Sequence, residues 1–220
     1  MSTLATNAAP AHSRSNFISE RLGSALAIVP LGVWTLNHLW NNLAAFQSGP
    51  AWQTAVTEYP HPLAEGITLA VVLLPLVWHT LWGLGRVFKT RPNYPRYSYF
   101  ANFKFILQRV AGLGLLAFLG AHLWLAFLQP RLMEGHVEPF ADIAHEMHFH
   151  RPTLVVYLLG VLGMAYHLAN GLQTAMMTWG AAVTKVALRK MELFAWAIFL
   201  LMLTMGWGAI YALFRAGAQL

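Results

Sequence analysis

The chain has 220 residues, 57% hydrophobic and only 10% charged. A soluble domain carries about 25% charged residues, and here the apolar residues run in long blocks, which excludes a water-soluble globule and indicates a polytopic membrane protein. The formal charge of +6 would suit nucleic acid, but the basic residues fall between the apolar blocks and read as topology signals. Cysteine is absent, which excludes disulfides, thiolate-bound zinc, cysteine-held iron–sulfur clusters and thioether-attached haem.

The first residues, MSTLATNAAPAHSRSNF, are polar and lack an apolar run ending in a small-residue cleavage site, so they do not read as a signal peptide. The first apolar block is therefore a retained helix. Helices are expected at 21–45, 64–89, 104–129, 152–178 and 190–214, each about 25 residues and long enough to cross a ~30 Å hydrocarbon core. Pro30 and Pro75 inside the first two predict kinks, not breaks, because neighbouring helices satisfy the freed carbonyls in lipid. NYPRYSY (93–99) marks the turn between helices two and three, and Pro130, Pro139 and Pro152 punctuate the third loop. With no internal repeat or low-complexity tract, residues 1–220 read as one domain: an all-α integral membrane bundle of five transmembrane helices.

Charge orients the bundle. Arg14, Arg21, Arg86, Lys89, Arg91, Arg96, Lys104, Arg109, Lys185, Arg189 and Lys190 fall on one side, and Arg131, Arg151 and Arg215 on the other. The positive-inside rule then puts the N-terminus in the cytoplasm and the C-terminus outside. Glu58, Glu65, Glu134, Glu138, Asp142 and Glu146 lie near the outer face.

His38, His79, His122 and His167 lie within four different apolar helices. Ionisable groups inside a membrane are costly and mark functional sites. At 1.5 Å per residue, His38 and His122 lie ~25 and ~27 Å from the cytoplasmic ends of their helices, and His79 and His167 ~15 and ~16 Å. The expected pairs are therefore His38 with His122 (outer) and His79 with His167 (inner), about 10 Å apart in depth. Two imidazoles at one depth can hold a haem b from both sides. With both axial positions filled, electron transfer is the natural role, and two such haems would form a wire across the membrane. A lone membrane histidine is often an interhelical hydrogen-bonding group, but four of them paired by depth resist that explanation. A zinc or copper site would lack ligands at two histidines per level. Gly83, Gly163 and Gly171 lie four residues from a ligand, on its face, and Gly120 and Ala121 adjoin His122, all small enough for a flat ring to approach.

Other features point less sharply. His136, His145, His148 and His150 crowd the outer connection, which reads as a solvated, partly amphipathic loop with a metal site as the alternative. Most of the nine Trp residues read as interface anchors. The helix interiors hold no clear acid, which leaves a proton-relay transporter without its usual groups. Arg109 either snorkels to the cytoplasmic interface or pairs with a haem propionate.

The stretches RLGSALAIVPLGVWTLNHL (21–39), LLPLVWHTLWG (73–83), YSYFANFKFILQRVAG (97–112), AHLW (121–124) and YHLANGLQTAMMTWG (166–180) resemble the cytochrome b subunit of succinate dehydrogenases and fumarate reductases of the five-helix, two-haem, single-anchor type. The resemblance covers the first four helices, while helix five and the loops match loosely. It implies that His79 and His167 hold the haem b nearer the cytoplasmic subunits and His38 and His122 the distal one. It implies a flavoprotein subunit with covalent FAD and an iron–sulfur subunit on the cytoplasmic face of a bacterial inner membrane. It also implies electron exchange with a quinone, commonly menaquinone, the dicarboxylate chemistry lying on the flavin. By analogy the quinone sits near the outer haem, with Glu58 and Glu65 as proton donors, while Arg21 and Ser24 are alternative contacts for a propionate or a quinone. The competing readings are a haem b anchor of a hydrogenase or formate dehydrogenase, which draws ligands from fewer helices, and a histidine-relay transporter.

Overall fold

The structure, a computed structural model, describes residues 14–58, 63–94 and 96–220. The leader segment considered above lies mostly outside them. All regular structure among the described residues is helical. In chain order it comprises α1 (Arg21–Phe46), the short α2 (Gly49–Val56), α3 (Gly66–Lys89), α4 (Phe100–Glu134), the short α5 (Phe140–Phe149), α6 (Arg151–Thr178) and α7 (Lys185–Gly217). The five long ones are long and apolar enough to cross a membrane.

Several boundaries differ from the sequence expectation. Helix α4 begins at Phe100 and runs through Pro130 to Glu134, so Pro130 lies inside a helix that it was expected to end. Pro30 likewise sits inside a π-helical stretch, Ala27–Gly32, and Pro75 lies two residues past the end of another, Leu69–Leu73. Proline removes one N–H and crowds the carbonyl four residues back, and a wider π turn accommodates both while the helix continues. The connection expected as a solvated loop contains α5, whose Ile143, Ala144 and Met147 are buried at helical spacing. Helix α2 was also not expected. Its signal is local: Ser48 accepts the Ala51 N–H as an N-cap and Pro50 occupies the first turn.

Contacts define two ends. Arg21 reaches the Thr178 carbonyl (3.4 Å) and Lys104 pairs with Glu192 (2.6 Å) at the basic end. At the acidic end Gln53 donates to the Glu138 carbonyl (3.0 Å) and His148 to that of Phe214 (3.0 Å). α3 packs on α1, α1 on α6, α6 on α4, and α7 lies behind α1 and α6. The apolar core gathers toward the acidic end, where Trp52, Ile143, Met147, Val161, Ile210 and Leu213 interlock. A second cluster of Leu39, Ala165, Met202 and Met205 continues it inward. α3 and α4 bury little, and Leu74, Leu81 and Phe88 are turned outward, as lipid-facing helices require.

Close helix approach depends on Gly217, where a Cβ would stand 2.1 Å from the Ala144 carbonyl oxygen of α5. Overpacking of this kind costs about 1–3 kcal/mol. Gly217→Ala should therefore lower the thermal midpoint of the detergent-solubilised protein. Gly114→Ala, at a position with no neighbour within 4 Å, should leave it unchanged.

Candidate functional site

The structure brings the four membrane histidines together two by two. His38 (α1) and His122 (α4) have ring centroids 6.0 Å apart with planes at 67°. His79 (α3) and His167 (α6) lie 6.1 Å apart at 75°. All four line one cavity of about 1300 Å³ that runs between the basic and acidic ends, larger than the ~300–1,000 Å³ of a usual small-molecule pocket. Among the described residues no group of three or more His, Cys, Asp or Glu is placed to hold a metal ion.

Each ring is steered by a neighbour. His79 donates Nδ1–H to the Gly23 carbonyl of α1 (3.1 Å). A carbonyl can only accept, which fixes the tautomer and leaves the Nε2 lone pair directed elsewhere. His167 Nδ1 faces both the side-chain Nε2 (3.2 Å) and the main-chain carbonyl (3.3 Å) of Gln108 on α4, and the Gln108 side chain also donates to the His167 carbonyl (3.0 Å). His122 Nδ1 meets the Tyr157 hydroxyl of α6 (3.0 Å), and Phe118 stacks on the His122 ring. His38 differs. Trp34 stacks on it at 4.7 Å and 9°, and Asn42 Nδ2 lies 3.4 Å from its Nε2 while donating at 2.8 Å to its carbonyl. Asn42 is held in turn by the indole N–H of buried Trp52 (3.1 Å).

Of the glycines singled out from the sequence, Gly83 and Gly171 line the cavity. Gly163 faces the Ala111 carbonyl and serves helix contact, and Gly120 has no neighbour within 4 Å and lies off the cavity wall. Gly112, four residues from Gln108, is the glycine on which His167 rests: a Cβ there would meet its Cε1 at 3.0 Å. Gly23 is equally constrained, since its Cβ would stand 2.6 Å from the Trp82 indole.

At the basic end, Ser24 lines the cavity, donates to the Arg21 carbonyl (3.1 Å) and accepts the Trp179 indole N–H (3.0 Å). Arg21 is engaged with Thr178 and does not reach the cavity wall. Arg109 lines the cavity, lies over the Phe105 ring (3.4 Å) and donates to the Phe105 carbonyl and to Thr90 Oγ1. Its Nε is buried without a hydrogen-bond partner.

At the acidic end the cavity wall includes Glu138. Burial, then the nearby Asp142 and Glu134, push its carboxyl up to about 7; His136 opposes this and Glu146 adds to it. Glu58 is exposed and stands off the cavity, and the side chain of Glu65 lies outside the described residues. In the connection between α4 and α6, His136 pairs with Glu134, and His150 contacts Thr153 and Glu146.

No protein-family model matches the chain. The chain is 30% identical over 199 residues to the succinate dehydrogenase cytochrome b558 subunit of Bacillus subtilis, an alignment covering 89% of this chain and 96% of that one. The chain belongs to the succinate dehydrogenase cytochrome b subunit family. Membership separates it from the hydrogenase and formate dehydrogenase anchors and from histidine-relay transporters.

Gln108, Tyr157, Trp34, Asn42 and Glu138 are the residues of this cytochrome b subunit that sequence reasoning passed over. Gln108 and Asn42 carry a signal, as polar side chains within apolar helix. Asn42 also lies four residues from a ligand candidate, on its face.

Because the chain has no cysteine, the pairing is open to a direct test. His38→Cys with His122→Cys, and His79→Cys with His167→Cys, should each be bridged within one chain by a short bifunctional thiol reagent. The crossed combination, His38→Cys with His167→Cys, should not, as read by mass spectrometry of the peptides.

Proposed function

We propose that the chain is the membrane-anchor and electron-transfer subunit of a succinate:quinone oxidoreductase, a single five-helix domain with two bis-histidine haem b sites. The carrying observation is the pair of facing imidazole pairs, at 6.0 and 6.1 Å, lining one cavity. A metal–nitrogen bond of about 2 Å on each side, plus the ring radius, requires a centroid separation of roughly 6 Å. Two ligands per metal suit a macrocycle that supplies the rest. The engaged Nδ1 atoms of His79, His122 and His167 leave Nε2 for ligation, the outer-sphere arrangement common to metal-bound histidine. The partnerless Arg109 Nε on the cavity wall fits a carboxylate such as a propionate. When bound, haem b supplies a one-electron Fe(III)/Fe(II) couple.

The residues around it divide the work. His79 and His167 hold the inner group, and His38 and His122 the outer one. Ser24 and Arg109 contact the inner group at the basic end, which faces the cytoplasm and receives the iron–sulfur and flavoprotein subunits. The chain resides in a bacterial cytoplasmic membrane. Quinone, commonly menaquinone in chains this one resembles, exchanges electrons at the outer end. There Glu138, rather than the exposed Glu58, holds a proton near neutral pH at the cavity wall and donates it as the quinone is reduced.

Haem quantitation of the purified protein should give two haems b per chain. His79→Ala should halve that ratio, and a parent ratio of one overturns the reading. Quinone reduction should slow as pH rises through about 7, where Glu138 loses its proton. Glu138→Gln should lower the rate at acid pH and abolish that inflection, while Glu58→Gln preserves both. For orientation, an impermeant maleimide added outside intact cells should label Gln219→Cys and leave Thr184→Cys unlabelled.

A further inference from the structure

Helices α4 and α6 each carry one histidine of a pair and touch the histidine carried by the other. On α4, at the inner level, Gln108 engages His167 Nδ1 with both its side-chain Nε2 (3.2 Å) and its main-chain carbonyl (3.3 Å). The Gln108 side chain is itself fixed: Nε2 donates to the His167 carbonyl (3.0 Å), and Oε1 accepts from Asn170 Nδ2 (2.8 Å). Asn170 lies one turn beyond His167, so α6 grips the residue that steers its own histidine. On α6, at the outer level, the Tyr157 hydroxyl meets His122 Nδ1 (3.0 Å). The Tyr157 ring stands edge-on to both His122 and Phe118, and Phe118 stacks on His122. The other two histidines are held differently: His79 by a main-chain carbonyl of α1 and His38 by Trp34 and Asn42 of its own helix.

Resting on the di-haem reading above, we infer that Gln108 and Tyr157 are positioning residues, one for each haem site, and that α4 and α6 form a reciprocal latch in which each helix supplies a ligand to one site and the holder of the ligand in the other. The latch sets the ring plane at His122 and His167. An imidazole whose N–H has an acceptor is a stronger donor to iron, and losing such an outer-sphere contact costs about 10–100-fold in metal affinity. The two holders act at different levels, so their effects separate by site.

The test uses the assembled complex and reads electron paramagnetic resonance of the two ferric haems, together with haem retention on dilution. Tyr157→Phe removes one oxygen and should shift the signal of the outer haem alone, weakening its retention about tenfold or more. Gln108→Leu should shift the inner signal alone. Asn170→Leu, which frees Gln108 without touching a ligand, should reproduce the inner shift in milder form and serves where Gln108→Leu fails to assemble. The double variant Tyr157→Phe with Gln108→Leu should show both shifts. Two haems per chain with both signals unchanged in Tyr157→Phe and Asn170→Leu overturns the latch while leaving the di-haem reading intact. A shift at the wrong level overturns it as well. Fewer than two haems in the parent protein refutes the di-haem reading, and the latch with it.

Discussion

An imidazole carried into an apolar bundle must find partners for its ring nitrogens within the protein, because lipid offers none. That requirement organises the interior of this chain. Main-chain carbonyls are the commonest acceptors available among packed helices, and two of the four histidines use one, from Gly23 and from Gln108. The other two recruit a tyrosine hydroxyl or an asparagine amide. Each partner sits where its helix comes close to the next, so helix packing and ring orientation are one problem. Gly23, tight against Trp82, and Gly112, tight against His167, leave room for the approach beside two of these rings.

The burial pattern follows from the same division. α7 carries no cavity histidine and packs the interior, pressing against α6, α1 and the short α5. α3 and α4, which carry His79 and His122, bury little and divide their surfaces between lipid and cavity.

Much of this is legible in the residues. The long apolar blocks dictate the spans, and a rise of 1.5 Å per residue brings His38 level with His122 and His79 level with His167. The holders are not legible that way. Tyr157 lies ten residues before His167 on its own helix, and nothing local says that it serves a ring on α4; only the packing of α4 on α6 does. Glu138 looks like one of several loop acids until the fold places it, and not Glu58, at the cavity wall. Helix α5 escapes notice because its histidines and acids mask a short buried stripe, Ile143, Ala144 and Met147, that gains meaning only against α7.

The π turns beside Pro30, Pro75 and Pro130 carry a consequence for the length of the chain. A π turn takes up one more residue than the α turn it replaces, and each residue rotates a helix by about 100°. The face presented beyond the turn is thus set by the count of residues within it. In α1 the stretch Ala27–Gly32 stands between Gly23, which receives His79, and His38, which faces His122. Gly23 keeps its carbonyl on His79 and His38 its place in the cavity wall only with that count intact. A one-residue deletion there, invisible to hydropathy, would swing His38 away by roughly a quarter turn. The spans are therefore keyed to one another by residue number as firmly as by side-chain chemistry, and single-residue gaps in these segments will be rarer among working relatives than substitutions.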